Sequence, residues 1–135
     1  MFAQRLISRY ERDLTMRFRV GMPQARASLS GAPQGQETVH IFPGALFPLS
    51  AEEVRRAAGG ALAQGTHQLF MRPDAQCRSS GHTHTYGAVV DGQQLQLAPD
   101  DVVEAGSFKA VVIGCWDYRG VRPGDGFFKY ILAQR

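Results

Sequence analysis

The stretch SFKAVVIGCWDYRGVRPGDGFFKYILAQ, residues 107–134, carries the clearest signal for the fold class. Both of its ends, 107–116 and 127–134, are apolar runs rich in β-branched and aromatic residues, which is typical of strands. Between them, residues 117–126 are rich in Gly, Pro and Asp, a composition that favours a turn. The stretch therefore predicts two strands joined by a turn-rich loop.

Further strand signals extend toward the N-terminus. Residues 14–20, LTMRFRV, alternate apolar with polar side chains, as a half-buried strand does. Residues 38–42, TVHIF, and 66–72, THQLFMR, are two more strand candidates. Pro43 and Pro48 are expected to flank a turn-rich stretch, because proline is confined to turns and edges of sheets.

A hairpin is predicted in the second half of the chain. Asp91-Gly92 separates two short apolar runs, AVV and QLQLA, and this dipeptide favours a tight two-residue turn. Together these signals predict a mainly β protein, a small β-sandwich or barrel of about six to seven strands with one or two short helices. We expect a single domain, residues 1–135.

Two short helices are predicted. Residues 1–12 place Phe2, Leu6, Ile7 and Tyr10 on one helical face, which predicts an amphipathic N-terminal helix. Residues 49–60, LSAEEVRRAAGG, carry a capping box formed by a serine and a glutamate three residues later, and end in two glycines. These features predict a second helix of two to three turns.

Two segments are expected to be long loops with a functional role. Residues 21–37 are rich in Gly, Pro, Ser and Gln and show no apolar periodicity. Residues 75–87, AQCRSSGHTHTYG, are polar and fit a hairpin tip or a flexible loop. Since binding residues often lie on loops, we expect both segments to contact partners.

The composition excludes several classes of protein. Of 135 residues, 44% are hydrophobic and 20% charged, which is too apolar for a disordered chain and too mixed for a membrane protein. The first residues carry charges where a signal peptide would be apolar, so we expect no cleaved signal. The net charge is +3; residues 1–27 hold six arginines against Glu11 and Asp13, a local balance of +4. Guanidinium groups there would suit carboxylates or phosphates.

A metal site has weak candidates in Cys77, His82 and His84. A His-x-His pair on a strand presents both imidazoles on one face, and cupin-like barrels use such a pair. No carboxylate follows the pair until Asp91, in the presumed turn. We therefore predict no metal and no cofactor, and keep a cupin-like metal-binding enzyme or sensor as the alternative.

Catalytic machinery is not recognisable either. Ser79 or Ser80 beside the two histidines lacks the rigid elbow, oxyanion hole and orienting acid that a nucleophile requires. Cys115, within the run VVIGCW, is interpreted as a core residue. We therefore expect no enzymatic activity.

The run PLSAEEVRRAAGGALAQGTHQLFMRPDA, Pro48–Ala75, resembles the small head-tail connector proteins of tailed bacteriophages. In that family the first strand carries arginines around a threonine, and Arg12, Thr15 and Arg17 stand in the matching place. The other matching positions are Pro48, Leu49, Ser50 and Glu53, then Thr66, His67, Leu69, Met71 and Arg72, and the apolar positions Phe108, Val111, Val112, Ile113, Phe128, Tyr130 and Leu132.

The resemblance implies a structural role in the virion, at the neck or at the end of the tail, for a protein made in the host cytoplasm. Copies would form a ring that continues the DNA channel, contacting the portal or adaptor protein, tail proteins and packaged DNA, with no membrane contact. The N-terminal helix and the segment 75–87 are longer than in compact family members. Adaptor, stopper and tail-completion roles therefore stay open.

Residues expected to contact partners or channel DNA lie on the first strand and the two polar segments: Arg17, Arg19, Arg26, Arg78, His82 and His84. Alternation in the first strand would point Arg17 and Arg19 away from the core. A third interpretation is a β-domain that binds a peptide or a sugar.

Overall fold

The computed structural model describes residues 2–20, 36–50, 65–79, 81–90, 93–120 and 124–135. Within these residues there is one helix, α1 (Phe2–Tyr10), followed by the strands β1 (Arg12–Val20), β2 (Gln36–Pro48), β3 (His67–Met71), β4 (Gln76–Ser79), β5 (His82–Thr85), β6 (Val89–Val90), β7 (Gln93–Gln94), β8 (Val102–Ala105), β9 (Phe108–Asp117) and β10 (Phe128–Gln134). The protein is mainly β, as the sequence predicts.

Six of these strands close into a barrel. They follow the order β1, β8, β9, β10, β3 and β2, and β2 pairs again with β1. The closing pair is antiparallel and long, running from Arg12 opposite Gly44 to Val20 opposite Gln36. Of the two architectures expected from the sequence, the chain adopts the barrel.

The barrel interior is filled by one alternating set of side chains. Leu14 and Met16 of β1 are 1% and 0% exposed, and Tyr130 and Leu132 of β10 are fully buried. Burying an aliphatic or aromatic side chain of this size contributes about 1.5–3 kcal/mol. The alternation expected for the first strand is therefore confirmed at Leu14 and Met16.

A β-bulge bends the wall of the barrel. Ile131 of β10 lies opposite Gly114 of β9, but Leu132 lies opposite Val112, so Ile113 is an extra residue in β9. Bulges increase the bend and twist of a strand, which helps a small sheet to close.

Two strands, β4 and β5, extend the sheet beyond the barrel. The end of β2 pairs with the barrel strand β3, whereas the middle of β2 pairs with β4, where Arg78 lies opposite Ile41. β5 then pairs with β4 from Gln76 opposite Thr85 to Ser79 opposite His82. Of the two forms expected for residues 75–87, a hairpin tip or a flexible loop, the segment adopts a β-hairpin. Its turn contains Gly81 with a φ of 82°, which glycine adopts readily.

Several element boundaries differ from those expected. The helix ends at Tyr10 rather than at residue 12, and Arg12 belongs to β1. β2 is 13 residues long and includes both Pro43 and Pro48, so the turn expected between them is wrong. Pairing with β1 up to Gly44 and with β3 from Ala45 to Pro48 keeps this segment extended, which shows tertiary contacts overriding local turn propensity.

Other expectations fall partly outside the described residues. Within the loop expected at 21–37, residues 21–35 lie outside them, whereas Gln36 and Glu37 belong to β2. The helix expected at 49–60 lies outside them from residue 51 onward. The strand β8 was not expected, because its four residues VVEA are too short for a period to show.

Candidate functional site

The outer edge of β5 is the most distinctive feature of the sheet. A closed barrel has no free edges, yet β5 ends the strand order, and no described strand pairs with its outer side. Two residues separate Ser79 from His82, so these form the closing, hydrogen-bonded pair of the hairpin. Alternation then turns the N–H and C=O of Thr83 away from β4, toward the open edge.

His82 and His84 lie side by side on one face of β5. Their rings are nearly parallel, 22° apart, and their centroids are separated by 6.4 Å. His84 lies opposite Cys77 of β4, which is fully buried, whereas His82 is exposed. The expectation that the two imidazoles share a face is met, and the pair stands on a strand outside the closed barrel.

The neighbouring groups limit what this pair can do chemically. Burial raises the pKa of the Cys77 thiol to about 12, so the thiol is protonated at neutral pH. Burial and the nearby His84 lower the pKa of His40, which is 6% exposed. Among the described residues, no three His, Cys, Asp or Glu side chains are grouped closely enough to hold a metal ion.

An open groove runs beside the hairpin. Ile41, Arg78, His82 and Thr83 contribute to its walls, and its volume is about 330 Å³. Ile41 is 42% exposed there, and Arg78 donates to the Asp13 carboxylate at 3.1 Å. Both partners of this ion pair are largely exposed, so it leaves Arg78 available to other anions.

Arg17 of β1 lies on the outer face, as expected, but it has a partner within the chain. Its guanidinium Nε donates to the Glu104 carboxylate of β8. This partner could not be anticipated because β8 itself was not recognised in the sequence. The side chain of Arg19 and all of Arg26 lie outside the described residues.

The β1–β2 pair continues past the rest of the barrel as a two-stranded ribbon. Residues 18–20 pair with residues 36–38, whereas β8 reaches along β1 only to Arg17. On the other side, β4 meets β2 only at Ile41. The end of this ribbon thus offers further backbone edges close to the start of β2.

Cys115 is exposed, so its interpretation as a core residue is wrong. Its Sγ lies 3.9 Å from the carbonyl oxygen of Leu97, and partial desolvation, with Asp101 nearby, raises the pKa of the thiol to about 11. Cys115 lies opposite Tyr130 of β10, but it stands near the end of β9, where the strand is more exposed than the apolar run suggests.

Outward-facing aromatic rings form a further surface that was not expected from the sequence. Phe47, Phe70 and Phe127 lie beneath α1 on the outside of the barrel. The pair Phe127-Phe128 could have indicated this surface, because adjacent residues of an extended chain point to opposite faces and Phe128 is buried.

No protein-family model and no curated protein matches the chain. Within the described residues, no helix has the length and apolar character needed to cross a membrane.

Proposed function

We propose that the chain is a structural virion protein of the bacteriophage neck, whose copies form a ring between head and tail and continue the DNA channel. The observation that carries this proposal is the open edge of β5. Closure gives the barrel a self-contained fold, so the two strands added outside it are available for contacts with other chains.

Pairing across this edge would join copies head to tail. β5 of one copy would add to the end of the β1–β2 ribbon of the next, and such a heterologous contact closes into a ring when its rotation allows. Backbone hydrogen bonds from Thr83 would supply affinity. Arg78 and His82 stand beside the same edge, so they would face either the neighbouring copy or the DNA phosphates.

A backbone-specific pair of variants tests this proposal. Thr83→Pro removes the N–H that faces the open edge and keeps the strand extended, whereas Thr83→Ala keeps the N–H and removes only the side chain. We expect concentrated wild-type protein and Thr83→Ala to form rings in negative-stain images, and Thr83→Pro to stay monomeric with an unchanged circular-dichroism spectrum. A wild type that stays monomeric, or rings formed by Thr83→Pro, would contradict the proposal.

The second candidate is a cupin-like metal-binding protein. The nearly parallel imidazoles of His82 and His84, on one face of β5, favour it. Elemental analysis of protein purified without a His-tag separates the two functions. One zinc or iron per chain, lost in a His82→Ala, His84→Ala variant, would support metal binding over the structural role.

A further inference from the structure

Helix α1 lies outside the core that fills the barrel. Of the side chains described from Ala3 to Tyr10, only that of Ile7 is buried, and it is not part of the contiguous barrel core. Leu6 and Tyr10 are 40% and 52% exposed. A helix of nine residues is too short to be stable in water by itself, so α1 depends on its contacts with the barrel.

Polar contacts fasten the start of α1 to the segment that precedes β10. The Asp125 carboxylate accepts hydrogen bonds from the backbone N–H groups of Ala3 and Gln4, each at 3.0 Å. The hydrogen bonds from Gln4 and Ala3 lower the pKa of this carboxyl, so it is ionised at neutral pH. The side-chain Nε2 of Gln4 also donates to the carbonyl oxygen of Gly126 at 3.0 Å. These contacts form the first anchor of the helix.

A second anchor lies just after the end of α1. Arg72, which follows β3, donates to both carboxylate oxygens of Glu11, at 2.8 and 3.0 Å. Their side chains are 28% and 11% exposed, and a two-pronged pair that is partly shielded from water is stronger than a single exposed contact. Glu11 is the one residue between α1 and β1, so the anchor fixes the helix at its junction with the barrel.

Between the two anchors the packing is open. A void of about 210 Å³ lies between α1 and three outward-facing rings of the barrel, Phe47, Phe70 and Phe127. The ring centroids are 6.1 Å apart between Phe47 and Phe70 and 5.9 Å apart between Phe70 and Phe127, so the rings support one another. Side chains that line a void lack contacts on that side, which weakens the attachment. The helix is therefore held mainly at its ends.

We propose that α1 is a releasable strap, which opens as a unit when its two anchors break while the barrel stays folded. Elements with few buried apolar contacts open locally at a lower free energy than the core does. The barrel itself does not require α1, because each of its six strands pairs with two neighbouring strands. Release uncovers the surface formed by Phe47, Phe70 and Phe127. This proposal stands independently of the role at the phage neck.

Native-state hydrogen exchange tests the proposal on the whole protein. Exchange would be followed by mass spectrometry over a range of low urea concentrations. Asp125→Ala removes the first anchor, and Glu11→Gln weakens the second without changing the size of the side chain. The matched control is Asp117→Ala, which removes a carboxylate that binds Arg119 in the same loop between β9 and β10. Fluorescence of the dye 1-anilinonaphthalene-8-sulfonate, which binds exposed apolar surface, reports whether the rings are uncovered.

In the wild type we expect the α1 amides to be protected, but less than those of β9 and β10. Their exchange should depend only weakly on urea, because a local opening exposes little surface. Asp125→Ala should speed α1 exchange by about tenfold or more and raise the dye fluorescence, because hydrogen bonds to a charged group are strong. Glu11→Gln should speed α1 exchange by a smaller factor. The control and the β9 and β10 amides should match the wild type.

Equal protection and equal urea dependence of the α1 and β9 amides would overturn the proposal, because the helix would then open only when the whole protein unfolds. Unprotected α1 amides in the wild type would overturn it as well, since the helix would not be docked. If Asp125→Ala also lowers the protection of β9 and β10, Glu11→Gln decides, and unchanged α1 exchange in that variant contradicts the strap. Faster α1 exchange without a rise in dye fluorescence would contradict the uncovering of the rings.

Discussion

The closed barrel and the β4–β5 hairpin are built from the same sheet, yet they differ in what they leave exposed. In the barrel every strand has two neighbours, and its interior residues Phe42, Leu69 and Leu132 are fully buried. In the hairpin, Cys77 is buried, but β5 has an open edge and His82 is exposed. We therefore assign most of the stability to the barrel, and we propose that the open edge of the hairpin serves association.

The largest expected effect on stability comes from a substitution in the barrel interior. Phe42→Ala removes a fully buried ring from β2 and leaves a cavity, so we expect the free energy of unfolding to fall by about 3–5 kcal/mol. Urea denaturation followed by circular dichroism measures this loss. Thr83→Ala, on the exposed hairpin, should change it by less than about 0.5 kcal/mol. Similar losses at both positions would contradict the division between the two regions.

A smaller effect is expected where the two regions meet. Tyr86 follows β5, and its hydroxyl accepts from the backbone N–H of Leu97 at 2.7 Å and contacts the hydroxyl of Tyr130 inside the barrel. Tyr86→Phe leaves that buried N–H without its acceptor, which costs about 1–3 kcal/mol. Equilibrium unfolding checks the value. An unchanged stability would show that the hydroxyl group does not link hairpin and barrel.

Acid is expected to destabilise the protein through two imidazoles, the buried one of His40 and the half-buried one of His67. Burial lowers the pKa of His40, and also that of His67, so the unfolded chain binds protons that the folded chain does not. Stability is therefore fully present above about pH 6.5, the ordinary histidine pKa, and falls as the pH drops below it. A single histidine accounts for at most about 1.4 kcal/mol per pH unit.

His40→Gln isolates that contribution. We expect the free energy of unfolding of this variant to fall less steeply between pH 7 and pH 5 than that of the wild type. Urea titrations at several pH values measure both slopes. Identical slopes would assign the acid sensitivity to other groups.

The smallest expected effect concerns the exposed ion pair beside the hairpin. The Arg78 and Asp13 side chains are 55% and 68% exposed, so Arg78→Ala should change the free energy of unfolding by less than about 0.5 kcal/mol. If Arg78 serves a neighbouring copy or DNA, the same variant should weaken ring formation. A large loss of stability in thermal melts would instead give Arg78 a role within the fold.

Strands that carry their own alternation were predictable from the sequence, and those that depend on partners were not. The alternation that includes Leu14 and Met16 predicted β1, and the apolar runs around Val112 and Tyr130 predicted β9 and β10. β8 is four residues long, and β2 contains two prolines, so both depend on pairing with neighbouring strands. Sequence patterns within a short segment do not predict its pairing with a distant segment.

The residues of the candidate site were predictable from the sequence, but the open strand edge beside them was not. The shared face of His82 and His84 follows from strand alternation, whereas the open edge beside them depends on which strand β4 joins. The aromatic surface under α1 could be recognised only from the fold, because the sequence does not show which face of a strand a phenylalanine occupies. Arg17 had the expected direction but a partner, Glu104, on an unexpected strand.

Amide hydrogen exchange at β5 tests the central claim most directly. Exchange would be followed by NMR or peptide mass spectrometry in dilute and in concentrated wild-type protein. We predict that the Thr83 amide exchanges quickly in dilute protein, because it faces the open edge, and becomes protected on assembly, while amides of β9 and β10 stay protected throughout. An assembled protein in which Thr83 still exchanges quickly would contradict the assignment of the β5 edge as the assembly surface.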